Sequence, residues 1–354
     1  MKDLFSRIAF SFFLILLPCE AYCCTSVIIS GSARHDGRPV MLKHRDTGEL
    51  NNRLQWFQGP EYSFIGLVNS SSKGGEVWSG TNSAGLCIMN TATYDLKDDD
   101  VPSEKMDREG IVMFDVLGKC RNLNDFENYL DTLKRPMGVE ANFGLTDAFG
   151  GAAYYEVNNT RWVKFDVNEE PGGYMVVTNF TRTGRPEDHK GVDRFKKTSE
   201  IMSSIDVSHA DHKVLFNEIS RSGAPVCRNI SASSIVFEGV ASGENPENTV
   251  MWTILGCPCT CIYLPLMVSD RDCVPDFMKK SSSRDNSQIC DYSLIVKGIY
   301  GYTEGCCEEC RKIEEYVDDE FSIDMSRHRY IHLMERSFRR YSVMCRRFLP
   351  KVSS

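Results

Sequence analysis

The sequence predicts a mixed α/β chain, rich in strands over its first 250 residues and helical at its C-terminal end. Three observations give that reading. Short β-branched runs are bounded by turns that carry glycine; two stretches show apolar residues at three- and four-residue spacing; and beyond about residue 300 the composition changes to charged, helix-patterned segments poor in strand formers.

The chain opens with a basic start at Lys2 and Arg7, an apolar run from Ile8 to Leu17 and a short polar exit through Pro18 to Cys23. This is the pattern of a secretory signal, too short to span a bilayer, which takes about 20 residues. Ala21 and Cys23 are small enough for cleavage after residue 23, which would make Cys24 the first residue of an exported chain. A lipoprotein signal, with Cys23 or Cys24 lipidated, is the rival reading, and bulky Tyr22 fits it poorly.

Thr25 to Ser30 reads as a strand, the polar segment from Ser32 to Arg38 with Gly37 as a turn, and Pro39 to Lys43 as a returning strand. Antiparallel pairing of these two runs brings Lys43-His44-Arg45-Asp46-Thr47 back beside Cys24. Further strands are expected at Tyr62 to Asn69, Glu76 to Ser79, Gly85 to Asn90 and Tyr174 to Thr178, with a hairpin from Gly144 to Val157 around Gly150-Gly151. Helices are expected at Gly110 to Gly118 and Leu123 to Leu133, with Asn124 as an N-cap and Glu127 three residues on, and again at Val192 to Ile205 and Lys213 to Ile219. Glu308 to Val317 and Arg327 to Phe348 complete a tail read as a separate helical appendage. The division is therefore a leader over 1–23, a main domain over 24–300 and a cysteine-containing helical extension over 301–354.

A hydrophobic content of 42% with 25% charged residues describes a folded protein, and a net charge of −8 argues against nucleic acid or an anionic membrane as the main partner. After the leader no apolar run approaches the length of a membrane span. Fifteen cysteines are unevenly placed and crowd the region after residue 256. Disulfides or buried thiols are the expected states. A zinc centre is the alternative, on Cys307-Glu308-Glu309-Cys310 and the dense Cys257-Pro258-Cys259-Thr260-Cys261, although zinc sites usually show two well-formed pairs.

Cleavage before Cys24 would place a thiol and a free α-amine on one Cα. The amine titrates at roughly 7.7 to 8 and the thiol at about 8.5, so each can exchange protons with the other near neutral pH. Cys24-Thr25-Ser26, Gly37-Arg38-Pro39, Lys43 to Thr47, Thr81-Asn82-Ser83-Ala84-Gly85-Leu86 and Val177-Thr178-Asn179-Phe180 occur in an order that resembles the linear-amide C–N hydrolases of the N-terminal nucleophile superfamily. That group includes choloylglycine hydrolases, penicillin V acylases, N-acylethanolamine acid amidase, acid ceramidase and the isopenicillin-N acyltransferase group, peptidase family C45, which the chain resembles best. The resemblance spans about residues 24 to 270.

The resemblance implies a four-layer αββα sandwich of two antiparallel sheets, with Cys24 ending a central strand. It implies a thiol amidohydrolase acting on a small N-acyl amide, with no metal or organic cofactor and acyl transfer as a possible extension. Cys24 would be the nucleophile and its amine the base. Asp46 would accept a hydrogen bond from that amine, Lys43 would stand where choloylglycine hydrolases carry an arginine beside the thiolate, and Asn179 would donate to the oxyanion. Asn90 or Asn82 would be the second donor, Asn90 being preferred because it ends the strand that Gly85 begins. Arg194 would be the later active-site arginine. Each residue also has a plainer reading: Asp46 as a turn cap, Arg194 on an exposed helix face, Asn179 in a glycosylation sequon, His209 and His212 on a solvated helix. The competing class for the whole chain is an exported, cysteine-stapled binding protein without activity.

Overall fold

The computed structural model describes residues 23–269, 273–283, 285–301 and 305–348. The expected leader, apart from Cys23, lies outside them. Among the described residues thirteen strands form two antiparallel sheets. The first contains β1 (Cys23–Ile29), β2 (Val40–Asp46), β10 (Tyr174–Val177), β11 (Ser231–Glu238), β12 (Val250–Leu255) and β13 (Leu264–Met267), in the order β10-β1-β2-β11-β12-β13. The second is a meander in chain order, through β3 (Asn52–Gln58), β4 (Ser63–Asn69), β5 (Ser79–Asn82), β6 (Cys87–Ala92), β7 (Ala141–Thr146), β8 (Ala152–Val157) and β9 (Trp162–Asp166).

The sheets pack face to face. Ile28 and Met41 from one and Ile65, Met89 and Tyr154 from the other belong to a single buried cluster. Tyr154 Oη also donates to Ser26 Oγ at 3.0 Å across the interface, so a polar tip buried between the layers finds a partner. On the outer face of the meander lie α1 (Glu109–Lys119) and α2 (Leu123–Thr132), whose Val112, Met113, Val116 and Phe126 form a second core with Phe64, Ile88 and Phe143. The N-cap of α2 is Asn122, not the expected Asn124: its side chain accepts from Asp125 N at 2.8 Å. That position alone has the extended backbone a cap requires, since residue 124 is already inside the first turn.

The outer face of the six-stranded sheet carries α3 (Val192–Ser204), the short α4 (His212–Val214), which runs on as a π-helical turn over Leu215–Ser220, and α5 (Gln288–Tyr300), α6 (Glu308–Glu320) and α7 (Arg327–Arg346). Four layers result, two of sheet between two of helix. The expected division at residue 300 is not a packing boundary. Ile313 and Val317 of α6 and Leu333, Met334 and Tyr341 of α7 lie in the same buried cluster as Val236, Trp252 and Leu264, and each such apolar side chain contributes about 1.5–3 kcal/mol on burial. A charged connection reinforces it: Arg221 forms a two-pronged pair with Glu314 of α6, at 2.6 and 3.0 Å, with both side chains buried. Among the described residues no helix is long and apolar enough to cross a membrane.

Candidate active site

β1 is flanked on both sides, by β10 and by β2, and its register with β2 sets Cys23 opposite Asp46 and Cys24 opposite Arg45. Cys24 is 6% exposed. Its backbone nitrogen donates to Asn179 Oδ1 at 2.8 Å. Asn179 follows β10, and its other end is also fixed, Nδ2 donating to Ala92 O at 2.6 Å. Arg194, the third residue of α3 and 1% exposed, donates through Nη2 to Asn179 Oδ1 at 2.7 Å and through Nη1 to Thr25 Oγ1 at 3.2 Å and to the Cys24 carbonyl. Gly191 makes this approach possible. Its φ is 73°, and a Cβ there would meet the Arg194 guanidinium at 2.2 Å.

The expected acceptor for the Cys24 nitrogen was Asp46, with Asn179 as oxyanion donor; the distances pair the residues differently. Asp46 is fully buried and its oxygens are taken by Ser231 Oγ at 2.7 Å, His44 Nε2 at 3.2 Å and Arg228 Nε at 3.0 Å. Burial pushes its carboxyl up, and His44, Arg228 and Ser231 outweigh burial and hold it below the usual carboxylate range. The reason is register: Asp46 stands across from Cys23, one residue too early in β1, whereas Asn179 comes to Cys24 from the opposite neighbour of the strand.

Lys43 is 2% exposed and donates to Asn90 Oδ1 at 2.8 Å and to Trp78 O. Burial, with Arg45 adding to it and Cys24 opposing it, brings its pKa down to about 7. A neutral amine has two N–H bonds, which these two acceptors occupy, and a lone pair left over. Arg45, singled out by no sequence argument, is held by Asn52 and Asn69 at 2.6 and 2.8 Å and lies over the Trp78 ring at 5.3 Å.

Cys24, Lys43, Arg45, Asp46 and Asn90 all line one cavity of about 440 Å³. Asn179 and Arg194 stand behind Cys24 rather than in its wall. Of the two candidates for a second donor, Asn90 reaches the cavity. Asn82 instead binds a turn, accepting from Ala84 N and Leu86 N and donating to Leu117 O and Cys120 O at the end of α1. The rest of the wall includes Trp78, Tyr94, Met106, Asp107, Glu109 and Glu140. These residues come from loops and from α1, and no motif in the sequence ties them to Cys24; the same is true of Arg228.

Two further expectations change. His209 is exposed beside Asp206, but His212 is buried, sandwiched between Glu238 and Asp318 at 2.9 and 3.1 Å and stacked on Trp252. Cys227, Cys257 and Cys259 place three buried thiols within 4.8 Å of one another, the set among the described residues that could hold a thiophilic ion. Cys307 Sγ accepts from Cys310 N at 3.4 Å as the N-cap of α6.

Neither a family model nor a curated protein matches the chain. Solved structures resembling it include a Caenorhabditis elegans ortholog of N-acylethanolamine-hydrolyzing acid amidase, at 14% identity over 60% of this chain and 92% of that one, with a TM-score of 0.49. A penicillin V acylase from Agrobacterium tumefaciens is 16% identical over 69% and 86% of the two chains, with a TM-score of 0.46. A conjugated bile acid hydrolase from Clostridium perfringens is 10% identical over 70% and 94%, with a TM-score of 0.47. The chain's own strand order, not these likenesses, carries the fold assignment.

Proposed function

We propose that the protein is an exported amidohydrolase with an N-terminal cysteine nucleophile, acting on the linear amide of a small N-acyl compound. The observation that carries this reading is the hydrogen bond from Cys24 N to Asn179 Oδ1 at 2.8 Å, made by a cysteine whose side chain lines the cavity. Once the chain is cut before Cys24, that nitrogen is an α-amine already oriented by Asn179, and Asn179 is in turn held by Arg194 and Ala92 O. The amine takes the thiol proton, the thiolate attacks the amide carbonyl, and the proton is returned to the leaving amine; water, or another acceptor in an acyl transfer, then resolves the thioester. With its Oδ1 taken by Lys43, Asn90 has Nδ2 left to donate to the oxyanion, where one such donor contributes about 10² to 10³ in rate. The basic, apolar leader supports export.

Lys43 supports a second assignment of the base for the same reaction. A buried lysine near pH 7 beside Cys24, with both N–H bonds satisfied, can take the thiol proton whether or not the N-terminus is free. Intact-mass measurement of active protein separates the two. An active species beginning at Cys24 is expected, and Cys24→Ala should abolish hydrolysis of any amide that turns over while leaving the unfolding midpoint nearly unchanged. Activity in a chain still carrying residues 1–23 would transfer the role of base to Lys43, and activity in Cys24→Ala would overturn the nucleophile itself.

A further inference from the structure

The cavity is not electrostatically uniform. Beside Cys24 its charged groups are Lys43, Arg45 and Asp46, all hydrogen-bonded. Elsewhere in the same wall stand three carboxyl groups, Asp107, Glu109 and Glu140. Glu109, 6% exposed, accepts Glu140 N at 2.8 Å. Glu140 Oε1 accepts from Leu96 N and Lys97 N at 3.0 and 2.8 Å. Lys97, also in this wall, is ion-paired to Asp99 at 3.4 Å, and none of the three carboxyls has an ion-pair partner among the described residues. Burial first, and then neighbouring carboxylates, push all three above the usual range, Glu109 to about 7. Arg185 offsets part of this at Glu140, and burial outweighs it.

A second observation at the same place concerns a neutral group. Thr93 is 3% exposed and lines the cavity, and its Oγ1 has no hydrogen-bond partner. Its backbone nitrogen donates to Glu140 O at 3.1 Å, which sets it beside the carboxyls. A buried hydroxyl without a partner is uncommon in folded proteins and calls for an explanation. Much of the remaining wall, Trp78, Ala92, Val101 and Met106, is apolar and offers it nothing.

We propose that this part of the cavity is a cation subsite: the amide attacked by Cys24 carries an ammonium or guanidinium group, held by Glu109, Glu140 and Asp107 with Thr93 Oγ1 completing its hydrogen bonds. The proposal rests on the reading of Cys24 as the nucleophile and adds the substrate class to it. An ammonium brings three N–H donors and a guanidinium five in its plane, for which three carboxyls and a hydroxyl are acceptors, while the apolar walls take the hydrocarbon that connects it to the amide.

The test is protection of Cys24 from a neutral alkylating agent, iodoacetamide, followed by peptide mass mapping on the purified protein. Hexylamine and hexanol match in length and differ in charge. The amine is expected to slow alkylation of Cys24 at concentrations roughly ten- to a hundredfold lower than the alcohol, the range for hydrogen bonds to charged groups. Glu109→Gln and Glu140→Gln keep an oxygen acceptor for the backbone and should each remove most of that preference, with the alcohol's effect and the unfolding midpoint retained. Equal protection by amine and alcohol, or a preference that survives both substitutions, overturns the subsite while leaving Cys24 in place. A Cys24 that iodoacetamide does not reach overturns the nucleophile reading instead, and the subsite falls with it.

Discussion

Arg221 and Arg228 lie on the same connection into β11 and face different parts of the protein. Arg221 is turned to the seam between the six-stranded sheet and α6, where it meets Glu314 on two prongs and also donates to Pro258 O and Cys261 O at 2.9 and 3.1 Å, with 1% of its side chain exposed. Arg228 is turned to the end of β2, where it pairs with Asp46 and keeps 29% of its side chain exposed. At the seam the Arg221–Glu314 pair is closed off and mutually neutralised. Around Cys24 the polar groups are held by neighbours yet keep a donor, a lone pair or a carboxyl oxygen turned to the cavity. Completed networks fasten a structure together, whereas incomplete ones are where another molecule can be the missing partner.

The largest effect should come from breaking the seam. Glu314→Ala leaves the Arg221 guanidinium buried without its carboxylate and should cost about 3–5 kcal/mol in denaturant unfolding, with activity per folded molecule retained. A matching loss of turnover in the folded fraction would mean that the two networks act as one. The next effect belongs to the site. Asn179→Ala should lower kcat/KM by about 10²-fold through misplacement of the Cys24 nitrogen, and it should move the acidic limb of the pH profile downward, because an acceptor that favours the charged amine is gone. Asp46→Asn should move that limb less. The reverse ranking would return the amine to Asp46.

The last effect is a pH dependence at the seam. His212 is pulled down by burial, but Asp318 and Glu238 outweigh it and raise its pKa to about 9 from an ordinary 6.5. A group raised in the folded state stabilises fully below the unfolded value and loses that contribution as pH climbs through the folded one. Stability should therefore fall between about pH 6.5 and 9, by at most about 1.4 kcal/mol per unit, and His212→Gln should flatten the slope. An unchanged slope in that variant would place the titrating group elsewhere.

What could be read from the sequence was what lies close along it. The turn at Gly37 places Arg45 opposite Cys24 because two strands of equal length joined by a short connection allow little else. The helices at Glu109–Lys119, Val192–Ser204 and Arg327–Arg346 announce themselves by spacing. β11 was not anticipated, since Ser231-Ala232-Ser233-Ser234 opens a fully enclosed strand with small polar residues that read as loop. Nor were Glu109, Glu140 and Arg228, whose relation to Cys24 exists only after two sheets and α1 have packed. The exchange of parts between Asp46 and Asn179 has the same origin. Two strands flank β1, and only the nearer in sequence could be reasoned about.

The bond between Cys24 N and Asn179 Oδ1 also bears on timing. It is present here with Cys24 N as an ordinary peptide nitrogen in a strand that already begins at Cys23, so the acceptor awaits the amine before any amine exists. On the α-amine reading, maturation is then the scission of one bond in an assembled protein, with Cys23, opposite Asp46, the residue of β1 that leaves. The uncut chain would be a latent form with a finished binding cavity, and the place where residues 1–23 are removed would set when hydrolysis starts.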